Sequence, residues 1–122
     1  MTWYHGSPIQ LEYLLAGSTI TRDEHLARVF SHKPTIVSQE NTADGSILWI
    51  RHNGVLPGYL FVIDEPVADD DVDPHPRTTM LPGQEWLTRR RLRVRLVARV
   101  AVVPEEFLTP EAVEELMRRA RD

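Results

Sequence analysis

The sequence predicts an α+β fold built from split, curved β-sheets in antiparallel or mixed arrangement, with a few short helices. From Leu92, apolar residues alternate with arginines and the apolar run continues to Val103, which is typical of a long strand with one buried face. A second strand is indicated by the apolar run Tyr59 to Ile63, which follows a Pro-Gly turn. Together with short helical patterns elsewhere, these strands give the α+β class.

Local signals place the shorter elements. Thr21 and Glu24 form a capping-box pattern that predicts a helix from about Arg22 to Ser31, and Pro34 ends it. Thr109 as N-cap and Pro110 at the first helical position predict a helix at the end of the sequence. We expect the remaining elements in this order: a strand at Trp3–His5, a turn or short helix at Ile9–Leu15, a brief strand at Ser18–Ile20, a buried strand at Thr35–Val37, a polar turn at Gln39–Gly45 and a strand from Ile47 to His52.

The segment from Asp64 to Pro82 has no hydrophobic periodicity. It carries several acids and four prolines, and it is too long for a simple connection in so small a domain. We therefore predict a binding loop or lid, with Pro74-His75-Pro76-Arg77 at its centre.

Length and composition predict one domain spanning residues 1–122. The 122 residues are 42% hydrophobic, which suffices for a single core. The absence of cysteine excludes disulfides and thiolate metal sites and fits a reducing compartment. The sequence shows no signal-peptide pattern and no apolar run near the ~18 residues that span a bilayer. We expect a cytoplasmic protein without a membrane partner.

Charge is segregated along the chain although the net charge is only −4. Acids cluster between Asp64 and Asp73, and six arginines lie between Arg89 and Arg99. Such asymmetry indicates either a face for an anionic ligand or two solvated surfaces. The run Arg89, Arg90, Arg91 resembles a phosphate-contacting patch, but the chain is acidic and carries no DNA-binding motif, so nucleic acid is the weaker candidate partner.

The five histidines do not predict a metal site, because no two have the spacing of a ligand pair. His32, His52 and His75 are expected in loops that could converge on His5. Such a cluster would handle protons or phosphate, with Arg77 offering a bidentate phosphate contact.

The most informative feature is the strand that ends in His5-Gly6. A sheet holds a strand-end histidine firmly, and an adjacent glycine permits close approach of a ligand to the backbone. This geometry favours a recognition site. The alternative is an ordinary, partly exposed residue at a strand end.

Several motifs in order resemble the ADP-ribosyltransferase superfamily, in particular its histidine-containing branch with the poly-ADP-ribose polymerases and the rifamycin-modifying transferases. They are YHGS from Tyr4, GSTIT from Gly17, DEHLARVF from Asp23, GYLFVID from Gly58 and QEWLT from Gln84. The resemblance implies a split, curved pair of sheets that holds NAD in a cleft.

The resemblance also implies residue roles. His5 would hydrogen-bond the adenosine ribose, with Tyr4 and Ser7 beside it, and the Gly6 backbone would bind the nicotinamide amide. Ser18 and Thr19 would lie where the family has its central Tyr or Ser-Thr-Ser, and Glu85 would be the carboxylate at the start of the late strand. No aromatic residue stands at the central position, so Tyr13 and Phe30 are the candidate rings for stacking. In the loop, His75 and Arg77 are further candidates for cofactor contact.

Elementary chemistry supports a role for Glu85. Cleavage of the nicotinamide bond develops positive charge on the ribose, which a carboxylate beneath it stabilises. The expected reaction is mono-ADP-ribosyl transfer to an unknown acceptor, or NAD hydrolysis, with His5, Thr19 and Glu85 as the catalytic set. Two alternatives stay open: an inactive module that binds a nucleotide or a cognate protein, and an enzyme that transfers a phosphate from RNA ends to NAD. The alternative interpretation of Glu85 is an exposed acid at the strand start that pairs with an arginine nearby.

Overall fold

Nine strands and two helices make up the structure, a computed structural model that describes residues 1–121. The strands are β1 Tyr4–Ser7, β2 Tyr13–Leu14, β3 Thr19–Ile20, β4 Val37–Asn41, β5 Ile47–His52, β6 Gly58–Ile63, β7 Val72–Pro74, β8 Trp86–Thr88 and β9 Leu92–Val100. The helices are α1 Glu24–Phe30 and α2 Pro110–Arg121. Short 3₁₀ turns lie at Asp69–Asp71 and Pro104–Glu106.

The strands form three sheets, all with antiparallel pairing. The largest has the order β1-β6-β9-β2, the second has the order β3-β8-β7, and β4 and β5 form a separate hairpin. The predicted α+β class with split sheets is therefore confirmed at this level.

The main core lies between the two larger sheets. In β9 the alternation from the sequence buries Leu92 and Val94 and leaves Arg93 and Arg95 exposed. The other buried members of this core are Trp3, Leu14, Ile20, Phe61, Ile63 and Val72. A smaller core forms where Leu26 and Val29 of α1 pack against Ile50 of β5.

Helix α1 packs unusually close to β1 and β6. A Cβ atom built at Gly6 overlaps the carbonyl oxygen of Ala27 and lies 2.7 Å from the Ser31 nitrogen. At Gly58 a Cβ atom overlaps the Ser31 side chain in the same way. Glycine at these two positions is therefore required for helix–sheet packing, which is a different reason from the ligand approach expected for Gly6.

Several predicted boundaries are corrected by the pairing. The N-cap of α1 is Asp23, whose carboxylate accepts a hydrogen bond from the Leu26 amide, so the helix starts later than predicted. The polar segment Gln39–Asn41 extends β4, because it pairs with β5. Within the region predicted as a turn or helix, Tyr13 and Leu14 pair with β9.

The acidic segment is not a single loop or lid. Residues Val72–Pro74 form β7, which pairs with β8, and Val72 is buried. Ahead of it, Asp71 and Glu65 bind Arg90 through ion pairs of 2.8 and 2.6 Å. Hydrogen bonds from the Arg90 guanidinium hold the pKa of both carboxyl groups below its usual range. The acidic and basic segments therefore largely pair with each other.

His32 and His52 form a stacked pair in the interior rather than a loop cluster with His5. Both side chains are fully buried, and their ring centroids are 5.3 Å apart. Nδ1 of His32 donates to the Leu56 carbonyl, and Nδ1 of His52 accepts from the Gly54 amide. Burial, followed by the proximity of His32, lowers the pKa of His52.

Helix α2 begins as predicted, since the Thr109 hydroxyl accepts a hydrogen bond from the Ala112 amide. None of its residues is buried. Neither helix within residues 1–121 has the length and the apolar composition that a bilayer span requires.

We predict that acid destabilises the fold before the carboxylates titrate. His52 and His5 both have lowered pKa values in the folded state, whereas the unfolded value is about 6.5. Their contribution to stability is complete above pH 6.5 and is lost as the pH falls from there through the folded pKa values. Each such proton changes the free energy of unfolding by at most about 1.4 kcal/mol per pH unit.

Urea denaturation between pH 8 and 5 measures this slope. His52→Asn keeps an acceptor for the Gly54 amide but does not titrate, so its stability should fall less between pH 6.5 and 5 than that of the wild type. The exposed His25→Asn serves as control. Equal slopes for wild type and His52→Asn would contradict the role of the buried ring.

We also predict that Gly6→Ala destabilises the protein by about 3 kcal/mol, because the new methyl overlaps the Ala27 backbone, which cannot move without displacing α1. The matched control is Gly45→Ala, at φ +87° with open space around it, which should cost only about 1–2 kcal/mol of backbone strain. Chemical denaturation compares the two variants. A smaller loss for Gly6→Ala than for Gly45→Ala would show that the close approach is not needed.

Candidate functional site

A cleft of about 270 Å³ opens where β1, β3 and the end of α1 meet. Three residues predicted as catalytic, His5, Thr19 and Glu85, line it although they are far apart in the sequence. The other lining residues are Tyr4, Gly6, Thr21, Ala27, Phe30, Lys33 and Pro34. The structure thus brings the three together, and their chemical roles stay predictions.

His5 is held in one orientation by β3. Its Nδ1 lies 2.7 Å from the Thr19 carbonyl oxygen, so Nδ1 carries the proton and donates. Burial lowers the pKa of His5, partly offset by this hydrogen bond. A neutral ring with a proton on Nδ1 has a free lone pair on Nε2, which is a hydrogen-bond acceptor. Thr19 therefore acts on His5 through its main chain.

The backbone of Gly6 faces the cleft edge of β1. Tyr4 exchanges two main-chain hydrogen bonds, of 2.7 and 3.0 Å, with Thr21 on the side of β1 opposite β6. Because backbone groups alternate sides along an antiparallel strand, the N–H and C=O of Gly6 point the same way as those of Tyr4. Within residues 1–121 no main-chain group forms a hydrogen bond with the N–H or the C=O of Gly6 on that side. They form a donor and acceptor pair suited to an amide.

Glu85 lies next to the start of a short strand that is separate from the long strand β9. It immediately precedes β8, which pairs with β3, and Arg89–Arg91 separate this strand from the long β9. The Glu85 side chain is only 12% exposed, and its Oε2 lies 3.9 Å from Nε2 of His75. The alternative interpretation of Glu85, an exposed acid paired with an arginine, is wrong: the side chain is largely buried, and within residues 1–121 it forms no ion pair with an arginine.

Two aromatic rings lie at the cleft, those of Tyr4 and Phe30. Phe30, in the last turn of α1, was one of the two rings expected to stack on a ligand. Tyr13, the other, lies on β2 outside the cleft, where the Arg91 guanidinium stacks 3.7 Å from its ring centroid.

Besides Tyr13, four predicted binding residues do not line the cleft. Ser7 is buried, and its hydroxyl accepts from the Ile9 amide. Ser18 donates to the Leu15 carbonyl. His75 lies behind Glu85, and the Arg77 amide donates to Nδ1 of His75 while the Arg77 side chain is exposed.

The predicted histidine cluster and the arginine patch lie away from the cleft. His32 and His52 do not line the cleft, so the histidine cluster around His5 does not form. Within residues 1–121 no three His, Asp or Glu side chains are grouped to hold a metal ion. The arginines proposed for nucleic acid are engaged elsewhere: Arg89 and Arg90 bind acids, and Arg91 stacks on Tyr13.

Lys33 is a cleft residue that sequence reasoning missed. It follows the α1 C-terminus with a positive φ of 56°, and its amide donates to the Phe30 carbonyl. Within residues 1–121 its ammonium group has no ion-pair partner, so it is the cleft's free cation in that range. The position after a helix end was recognisable from Pro34, but nothing local indicated that the side chain borders a cleft.

We predict that Lys33→Gly separates binding from folding. Glycine adopts positive φ without strain, so stability should stay equal or rise by up to about 1 kcal/mol. If the cleft binds an anionic nucleotide as the sequence predicts, loss of the cation should weaken that binding by several-fold, and the effect should shrink at high salt. Titration of ADP-ribose at two salt concentrations, with exposed Arg51→Gly as control, measures this. Unchanged affinity would exclude Lys33 from the binding site.

Comparisons with protein-family models, with curated proteins and with solved structures find no match to this chain.

Proposed function

We propose that this protein binds NAD in the cleft and cleaves its nicotinamide bond, passing ADP-ribose to an unidentified acceptor or to water. One observation carries the proposal: His5, Thr19 and Glu85 line the same cleft although they are far apart in the sequence. The proposal includes an ADP-ribosyltransferase-like fold, for which the split antiparallel sheets are the coarse support.

The nicotinamide end of NAD would bind at β1. Its carboxamide offers one acceptor and one donor group, which complement the N–H and C=O of Gly6 at the strand edge. Phe30 and Tyr4 provide apolar ring surface for the pyridinium. The Nε2 lone pair of neutral His5 would accept a hydrogen bond from a ribose hydroxyl.

Glu85 would act on the developing charge. As the bond between ribose C1′ and the nicotinamide nitrogen breaks, the bonding electrons leave with nicotinamide and the ribose becomes cationic. A carboxylate held close to this ring stabilises the cation, and its low exposure strengthens the interaction because less water screens it. The acceptor oxygen or nitrogen then bonds to C1′ and loses its proton.

The decisive test is the substitution Glu85→Gln, which keeps the side-chain size and removes the charge. We expect turnover of NAD to fall by roughly 100-fold or more while NAD affinity changes by no more than a few-fold, since the charge acts as the transition state forms. Calorimetric titration with NAD measures the affinity, and release of nicotinamide measures turnover. The exposed Glu111→Gln is the matched control.

The companion variant His5→Ala should act on affinity, because its proposed partner is a ground-state hydroxyl. Full turnover in Glu85→Gln would remove Glu85 from the mechanism. Binding of NAD by the wild type without transfer or hydrolysis would instead favour the inactive nucleotide-binding alternative. Absence of NAD binding would overturn the proposal and leave a protein-binding role.

A further inference from the structure

His75 is fixed opposite Glu85 by the sheet. The pairing of β7 with β8 ends at Pro74 and Trp86, and one further hydrogen bond of 3.0 Å joins the His75 amide to the Glu85 carbonyl. His75 and Glu85 are therefore cross-strand neighbours at the cleft end of this sheet. Because side chains of directly opposite residues share a face, the imidazole and the carboxylate lie side by side.

A hydrogen bond at Nδ1 of His75 determines which ring nitrogen carries the proton. Nδ1 accepts from the Arg77 amide at 3.0 Å, so a neutral His75 carries its proton on Nε2. That nitrogen is the one 3.9 Å from Oε2 of Glu85. A protonated ring also carries a hydrogen on Nε2, so in both states the nitrogen 3.9 Å from the carboxylate bears a hydrogen. At this distance the contact is electrostatic and too long for a hydrogen bond.

The loop around His75 is stiff. Pro74 and Pro76 fix the backbone φ angle on either side of it, and the proline that follows restricts His75 itself to extended conformations. With the backbone restricted in this way and Nδ1 bonded to the Arg77 amide, the ring loses little further entropy when it orients a neighbour.

We propose that His75 is the positioning residue for Glu85, whose carboxylate it orients and retains in the cleft through its Nε2–H. This inference rests on the proposed function, in which Glu85 acts on the ribose. His75 itself does not line the cleft and touches no reacting atom. For His75, this positioning role replaces the contact with the cofactor that the sequence predicts.

The test compares His75→Ala with His75→Gln. Glutamine can place an N–H donor near the position of Nε2, whereas alanine leaves the carboxylate without a partner. We expect His75→Ala to lower kcat by roughly tenfold or more with NAD affinity within a few-fold, and His75→Gln to recover most of that loss. Exposed His25→Gln is the control and should behave as the wild type.

If His75 only stabilised the loop, the two variants would behave differently from this expectation. Both would have a lower melting temperature, and kcat of the folded protein would be unchanged, which would overturn the proposal. So would a His75→Gln variant as impaired as His75→Ala at equal melting temperature, since that result requires the ring rather than the donor.

Nitrogen NMR of the His75 ring separates this proposal from the proposed function. In the protein without any nucleotide, we expect the Nε2–H tautomer and a shift of the ring signals in Glu85→Gln. If NAD is not cleaved but the signals shift, the proposed function fails and the pairing of His75 with Glu85 stands. An Nδ1–H tautomer, or ring signals unaffected by Glu85→Gln, overturns the positioning role whatever the wild type does with NAD.

Discussion

The close approach of α1 to β1 at Gly6 is the constraint on which the cleft depends. Only hydrogen at the Cα atom leaves room for the Ala27 carbonyl oxygen, and Gly58 repeats this contact one strand away against Ser31. The helix therefore lies low on the sheet, and its last turn brings Phe30 and the residues that follow beside His5. One wall of the cleft exists because two glycines have no side chain.

The opposite wall depends on pairing between sheets. Thr21 joins Tyr4 by two main-chain hydrogen bonds, and the Thr19 carbonyl accepts from His5, so β3 is tied to β1. Since β3 also pairs with β8, Glu85 is fixed relative to His5 through two steps of strand pairing. A rigid path of this kind allows groups far apart in sequence to hold a constant geometry.

Sequence reasoning succeeded where the signal is local and failed where pairing alone determines structure. The alternation in β9, the apolar run of β6 and the cap of α2 each occupy contiguous residues, so they were predictable. Strands of two or three residues, such as β2 and β7, have no periodicity of their own and exist because a partner strand supplies their hydrogen bonds. The buried stack of His32 and His52 was unpredictable for a different reason: polar residues near turns are ordinarily exposed, and no local pattern marks these two as buried.

The net charge of the cleft depends on which charged side chains form ion pairs elsewhere in the structure. Arg90 is satisfied by Glu65 and Asp71, so the basic strand end contributes little net field to a ligand. The cleft keeps one carboxylate and one ammonium group, on Glu85 and Lys33. A ligand that fits this pair carries both signs of charge, as NAD does in its pyridinium ring and its pyrophosphate. Under the proposed function, the carboxylate would therefore act on the positive charge that moves from the pyridinium ring to the ribose as the bond breaks. The ammonium group would hold the phosphates that stay with the ribose.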